Sequence, residues 1–356
     1  MHIRYHSWEM IGTGVNGWLN ASGDWDAAKI NNAMSGAYTF NPEILINIPW
    51  PPDSKGWLNT DGTLKTANYG DFANWCADLV NIVNIQQGRN VEYWEISNER
   101  DDLYNGAAMH ELGVIFNEVA AAIKAVDGSV KVGGPAFARP FAEYITGIGA
   151  FMEETKNTLD FVSYHSYHLS GDPSAQTIFD NAGWGWVTDI MRAEWANHSA
   201  RDIEFHHNEF NIKATGSSFE PMTNEVSMVF DALMIMSSMR SGADVLDAWN
   251  ESDGWYGKIG NTYSDYARRP SSYLYENLNK NMMDASDIVN SSSNGSSKIV
   301  ELISKNGSTV QILIANRSEA TQTVTFTFNN LTVDGSTSVT INESTLAGAL
   351  THPAPR

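Results

Sequence analysis

The sequence predicts an α/β chain: a TIM-type (β/α) barrel followed by a small all-β sandwich module. Three observations carry that prediction. Strand-like runs alternate with amphipathic helical patterns through most of the chain, the signature of parallel βα units. Near Met282 the pattern switches to short alternating strands. The length of 356 residues suits one large barrel with an appendage.

In chain order, the barrel strands are expected at His2–Trp8, Glu43–Trp50, Val91–Ser97, Val130–Gly134, Phe161–Tyr167, Asp202–Asn208 and Ala243–Trp249. Helical patterns lie between them. Asp71–Gln86 carries Phe72, Trp75, Leu79, Ile82 and Val83 along one face. Met109–Val126 stops before Asp127 and Gly128, and Glu225–Arg240, rich in Met and Leu, closes on Gly242. These seven strands are one fewer than a complete eightfold barrel needs.

The barrel is expected over 1–282. A polar stretch, 283–297, with Ser291–Ser293 and Asn294–Gly295, reads as a linker. The β module fills 298–356, with strands at Ile299–Ser304, Thr309–Ala315, Thr323–Phe328 and Ser338–Ile341. Asn306–Gly307 is a two-residue hairpin signal between the first two.

A formal charge of −20 argues against a nucleic-acid partner, because phosphate backbones are bound by Lys and Arg. A neutral ligand fits this balance best. No apolar run is long enough to span a bilayer, so no membrane partner is expected. Met1 opens directly on strand-like sequence without a signal-peptide pattern, and secretion with an export signal outside this chain is compatible with that start. The lone Cys76, within a helical pattern, reads as a buried inert thiol. Twelve Trp and thirteen Tyr supply flat apolar faces of the kind that sugar rings stack on, although packing alone accounts for many of them.

Two strands end in carboxylates at the end of the barrel where catalytic groups collect. One runs from Val91 through Trp94-Glu95-Ile96-Ser97-Asn98-Glu99; the other runs from Ile203 through His206-His207-Asn208-Glu209. Such a pair can cleave a glycosidic bond: one carboxylic acid protonates the leaving oxygen, and a carboxylate acts on the opposite ring face.

Trp94-Glu95-Ile96-Ser97-Asn98-Glu99 resembles the Trp-Glu-Ile-Gly-Asn-Glu-Pro form of glycoside hydrolase clan A, with Ser97 in place of Gly and Arg100 in place of Pro. The resemblance implies a retaining (β/α)8 hydrolase acting on an oligo- or polysaccharide. Glu99 would then be the acid/base at the end of strand four, and Glu209 the nucleophile at the end of strand seven. Counting back makes His2–Trp8 strand two, so strand one is missing or replaced. Asp160 to Tyr167 is similar to strand six of the β-xylosidase and α-L-iduronidase family. That likeness implies that Tyr167 bonds the nucleophile with His165 nearby. Arg4 and His6 resemble the Arg-x-His of strand two, and Trp249 looks like the platform under the bound sugar. The agarase and porphyranase group of the clan is similar as well.

These roles imply that the surroundings of Glu99 raise its pKa, that Arg4 and Tyr167 keep Glu209 ionised, and that Asn98 donates to a sugar hydroxyl. Glu92 reads as an edge charge, Glu95 as either a polar core group or a subsite residue, and Asn224–Glu225 as a helix start. Trp50, Trp57, Trp184, Trp186 and Trp255 divide evenly between ligand contact and loop packing. No metal or other cofactor is expected in bond cleavage. A rival reading would use His2, His6, His165, His168, His206 or His207 as ligands of a metal-dependent barrel hydrolase. A second rival is a non-catalytic carbohydrate-binding protein.

Overall fold

The computed structural model describes residues 2–12, 14, 17–36, 43–167, 169–214, 219–252, 254–261, 266–281, 287–289, 297–307 and 309–322. The chain packs as two compact units. The first comprises Met1–His168, Gly183–Ala214 and Ser237–Trp249; the second gathers Leu169–Ala182, Thr215–Met236 and Asn250–Arg356.

The first unit is built on seven parallel strands whose spatial order equals their chain order. They are β1 (His2–Tyr5), β2 (Glu43–Ile48), β3 (Tyr93–Ile96), β4 (Lys131–Phe137), β5 (Phe161–Ser166), β6 (Glu204–Phe210) and β7 (Val245–Ala248). Among the described residues the α-helices of both units, in chain order, are α1 (Ser7–Met10), α2 (Ala27–Met34), α3 (Tyr69–Val80), α4 (Met109–Val126), α5 (Ile145–Thr155), α6 (Ala175–Asn181), α7 (Trp186–His198), α8 (Glu225–Arg240) and α9 (Pro270–Asn281). Parallel strands covered on both faces need near-continuous burial, and β2 and β5 have it. Outside the sheet, α3, α4, α5 and α7 pack in succession. Phe116 on α4, Phe151 on α5 and Phe137 on β4 meet edge to face there. The expected helix over Asp71–Gln86 is α-helical only from Tyr69 to Val80, and Asn81–Gln86 continues as a π turn.

The sheet is a nearly closed barrel filled by side chains in layers, two residues apart along each strand. The lowest layer is aromatic. Phe161 stacks on His206 at 4.3 Å, Tyr93 meets Phe161 edge-on, and His2 meets His206 edge-on. Gly133 faces Phe161 so closely that a Cβ would lie 2.4 Å from the ring, so this position has to be glycine. Among the described residues β1 and β7 share no backbone ladder. A side-chain bridge spans the seam instead, from His2 Nδ1 to Asp247 Oδ2 at 2.9 Å.

In the second unit, β8 (Asp287–Val289), β9 (Ile299–Asn306) and β10 (Thr309–Asn316) form an antiparallel sheet ordered β10-β9-β8. Asn306 pairs with Thr309 and Gly307 has φ 58°, in keeping with the hairpin read from Asn306–Gly307. Arg317 and Gln176 tie this hairpin to α6. β8 lies inside the stretch read as linker. Its three residues pair with Ile303–Lys305, an arrangement that the polar composition around them conceals. The strands expected at Thr323–Phe328 and Ser338–Ile341 lie outside the described residues. No described helix is long and apolar enough to cross a membrane.

Burial lowers the pKa of His2, but the charge and hydrogen bond of Asp247 outweigh it and raise the net value above 6.5. The contribution of this bridge to stability is therefore fully present below pH 6.5 and is lost as the pH rises through the higher folded value. Replacing Asp247 by Ala is expected to lower stability by about 1–3 kcal/mol near pH 5.5, with a smaller deficit near pH 8.5. Urea unfolding of both proteins across that range measures it, and a deficit that grows with pH would contradict the assignment.

Candidate active site

The layers above the aromatic floor become polar. Arg4, two residues beyond His2, lies at the centre with its side chain 5% exposed. Its Nε donates to Glu95 Oε2 at 2.8 Å, its Nη1 to Glu209 Oε2 at 3.1 Å and its Nη2 to Asn98 Oδ1 at 2.7 Å. Glu95 is fully buried, and its other oxygen accepts from Asn208 Nδ2 at 2.6 Å. Burial raises the pKa of Glu95, but Arg4 and the hydrogen bonds of Ser163 and Asn208 bring it below the ordinary carboxylate value. Asn98 is thus held between Arg4, whose Nη2 it accepts from, and His6, with which its side chain also hydrogen-bonds.

Glu209 reaches this cluster because β6 is irregular. Ser163 pairs with His206 and Tyr164 with His207, but His165 pairs with Glu209, so the register slips by one residue. Asn208 already points inward to Glu95, and simple alternation would turn Glu209 outward. The bulge turns it back in. Its Oε1 accepts from the Tyr167 hydroxyl at 2.6 Å.

Glu99 arrives by a different route. The chain leaves β3 through Ser97 and Glu99, both in the left-handed region, with φ 65° and 54°. Ser97 N donates to Ile48 O and Glu99 N to Ala136 O, so the turn is clasped by the strands on either side. His165 Nδ1 lies 2.7 Å from Glu99 Oε1 and 3.6 Å from Glu209 Oε2. The two carboxylates differ in access, since the Glu99 side chain is 37% exposed and that of Glu209 is 9%.

Burial raises the pKa of Glu99, yet the hydrogen bond and charge of His165, with Arg4 and Arg100, hold it below the ordinary value. This corrects the expectation of a raised value. Burial lowers the pKa of His165, and Glu209 and Glu99 more than reverse that. His6 goes the other way: burial, then the charges of Arg4 and His165, push it down to about 2 and leave it neutral. Its ring packs 4.7 Å from that of Trp249.

The structure thus brings together Arg4, His6, Asn98, Glu99, His165, Tyr167, Glu209 and Trp249. The other candidates fall elsewhere. His2 and His206 belong to the barrel floor, and His207 bonds Ser166 and Ser238. Glu92 pairs with Lys131, and Asn224 caps the start of α8 through Val226 N. Trp50 and Trp184 are buried, Trp57 is half-buried, and Trp186 and Trp255 are exposed. His168 lies outside the described residues. Asn208 and Asp247 were missed, although Asn208 stands beside Glu209 in the same strand segment.

One donor atom each from Glu99, His165 and Glu209 lie within 4.8 Å of one another, a spacing that a metal ion could bridge. Arg4 already puts a fixed positive charge on Glu209, which disfavours a second cation there.

A family model described as "Glycosyl hydrolases family 39" matches residues 83–328. A "Beta-xylosidase" of Geobacillus stearothermophilus is 26% identical over 219 residues, 58% of this chain and 40% of that protein. The chain therefore spans well under half the length of that relative. The structure of a monomeric beta-xylosidase from Caulobacter crescentus CB15 superposes with a TM-score of 0.62 at 18% identity, covering 87% of this chain and 66% of the other. A GH39 enzyme from Xanthomonas axonopodis pv. citri gives 0.65 at 16% identity, with 90% and 66% covered. At these identities the structural likeness concerns the fold alone.

Ser97 carries a side chain at a left-handed position, and its buried hydroxyl has no hydrogen-bond partner among the described residues. Replacing Ser97 by Gly is expected to raise unfolding stability by about 1 kcal/mol, net of the extra entropy of glycine. Chemical denaturation tests this, and a loss of stability would show that the hydroxyl is engaged.

Proposed function

The chain belongs to glycosyl hydrolases family 39, and from that membership we propose that it hydrolyses a β-glycosidic bond of a neutral oligo- or polysaccharide with retention of configuration. Glu209 is the nucleophile and Glu99 the general acid/base. The observation that carries this reading is the approach of Glu99 and Glu209 oxygens to within 4.8 Å. A retaining enzyme needs its carboxyl groups about 5–5.5 Å apart, whereas an inverting one leaves about 6.5–9.5 Å for water. Aryl β-xylosides are the first substrates to try, since relatives bear the name beta-xylosidase.

The surroundings fit a division of labour. Arg4 and Tyr167 bond both oxygens of Glu209, so its lone pairs are aimed and its charge is balanced until it attacks the anomeric carbon. Glu99 is the more exposed group, as suits a residue that meets the leaving oxygen. The proton it must deliver is shared with His165 across a 2.7 Å contact, and transfer from Nδ1 to Oε1 produces the neutral acid. In the second step Glu99 takes a proton from water, which attacks the same carbon and frees Glu209. Asn98 donates to a hydroxyl of the bound sugar, and Trp249, with His6 against it, supplies the apolar platform. His6 is uncharged there, so it can hydrogen-bond a hydroxyl without drawing charge from Glu209. Charge stabilisation comes from Arg4 and hydrogen bonds, and no metal is required.

Glu209→Ala is expected to abolish turnover while leaving the unfolding transition in place. Glu99→Ala should cost about 10²–10⁴ on sugar leaving groups and far less on activated aryl glycosides in the first step. Proton NMR of the first-formed product decides the stereochemistry. An inverted anomer, or near-normal turnover by Glu209→Ala, would overthrow the reading. Activity that disappears on chelation and returns with one divalent ion would overthrow the metal-free mechanism.

A further inference from the structure

Trp186 opens α7 with 43% of its surface exposed, an unusual position for the largest apolar side chain. It is not isolated. Its ring lies 6.3 Å from that of Phe141, and Phe141 lies 6.5 Å from Tyr144. The guanidinium of Arg139 sits over Tyr144 at 5.5 Å. Phe141 and Tyr144 are half-buried and Arg139 is exposed, so the three rings form a patch bordered by a hydrogen-bond donor.

Connectivity puts this patch at the catalytic end of the barrel. Phe141 and Tyr144 follow the C-terminal end of β4, and Trp186 starts α7, the helix that leads back to β6. The parallel order of the strands sends both segments to the end that carries Glu99 and Glu209. The loop of Phe141 is also fastened to the chain just beyond Glu99. The buried carboxylate of Asp101 accepts from Ala138 N and Arg139 N, both at 3.0 Å, and Asp102 pairs with Arg139 at 2.5 Å. His6 and Trp249 come from the β1 and β7 side, across the barrel from β4 and β5.

We propose that Phe141, Tyr144 and Trp186 form a saccharide-binding subsite on the leaving-group side, taking a neutral pyranose ring of an oligosaccharide. This rests on the reading of Glu99 and Glu209 given above. If Trp249 lies under the sugar that Glu209 attacks, a chain crossing the barrel mouth meets Glu99 at the scissile oxygen. It then continues over β4 and β5, where the three rings lie. Sugar rings have apolar faces edged with hydroxyls, which match aromatic surfaces bordered by a donor such as Arg139. The patch thereby favours substrates whose leaving group is itself a saccharide.

Binding and turnover test this separately. In a Glu209→Gln background, calorimetric titration with xylotetraose, cellotetraose and laminaritetraose should give measurable affinity for at least one. Adding Trp186→Ala should weaken that affinity about three- to tenfold, and Trp186→Phe should restore most of it. In the active enzyme, Trp186→Ala should lower the ratio of kcat/KM for the tetraose to that for the matched p-nitrophenyl monoglycoside by a similar factor. Phe141→Ala is expected to act in the same direction. Unchanged affinity, no tetraose bound, or equal losses on both substrates would overturn the subsite. If the enzyme releases no sugar from any of these substrates, the hydrolase reading fails, while the titrations still judge the patch.

Discussion

Arg4 is the constraint on which the rest of the site depends. A guanidinium with its side chain 5% exposed cannot stay in a barrel core uncompensated, and two carboxylates could not be held beside each other without it. The fork geometry suits three acceptors at once, and these come from β3, the turn after β3, and β6. Lysine offers one compact charge and would not span them. Removing Asn98 would leave Nη2 without its acceptor, and removing either carboxylate would strip the buried guanidinium of a charge-assisted hydrogen bond. The cluster fixes relative position more than it adds stability, since buried ion pairs roughly cancel their own desolvation.

The same charge distribution sorts the two histidines. His165 faces Glu209 and Glu99, and its protonated form is favoured. His6 stands near Arg4 and His165, and its neutral form is favoured. Both imidazoles lie near Glu209, yet they end with opposite charge states: His165 also bonds Glu99, whereas for His6, with Nε2 3.9 Å from Glu209, burial and the charges of Arg4 and His165 prevail. The low pKa of Glu99 follows from the first of these. In the proposed mechanism a general acid that rests ionised beside a protonated imidazole still has its proton within one hydrogen bond, and a leaving oxygen that accepts from Oε1 would draw it across.

Much of this was legible in the sequence where a local rule governs. Alternation assigned seven strands, and the parallel order followed from helices between them. Asn98–Glu99 stood out because it ends a strand. Irregular features were not legible. Nothing in His206-His207-Asn208-Glu209 announces a bulge, although without it Asn208 and Glu209 could not both face inward. Glu95 was undecided because its role depends on Arg4, which is distant in sequence and adjacent only in a closed barrel. β8 was hidden for the reason that short edge strands usually are: three residues carry too little pattern against polar neighbours. The second compact unit is assembled from three separate stretches, and composition read along the chain cannot show which stretches pack together.

The two carboxylates are also held by different means, and the difference fits the tasks proposed for them. Glu209 lies within a strand, turned inward by a register slip and tied by Arg4 and Tyr167, as suits the proposed nucleophile, which would attack along one line. Glu99 sits past the end of β3, where Ser97 and Glu99 in the left-handed region cost about 1–2 kcal/mol each. That strain persists because the turn is clasped on both sides. Asn47 donates to Ser97 O at 2.7 Å, Ser97 N reaches Ile48 O, and Glu99 N reaches Ala136 O. The clasp lifts Glu99 out of the strand plane toward the mouth, where its side chain is accessible while its backbone is not free to drift. An acid that must first give a proton to one oxygen and later take one from water gains from such access. A nucleophile that must make one bond to carbon gains from confinement.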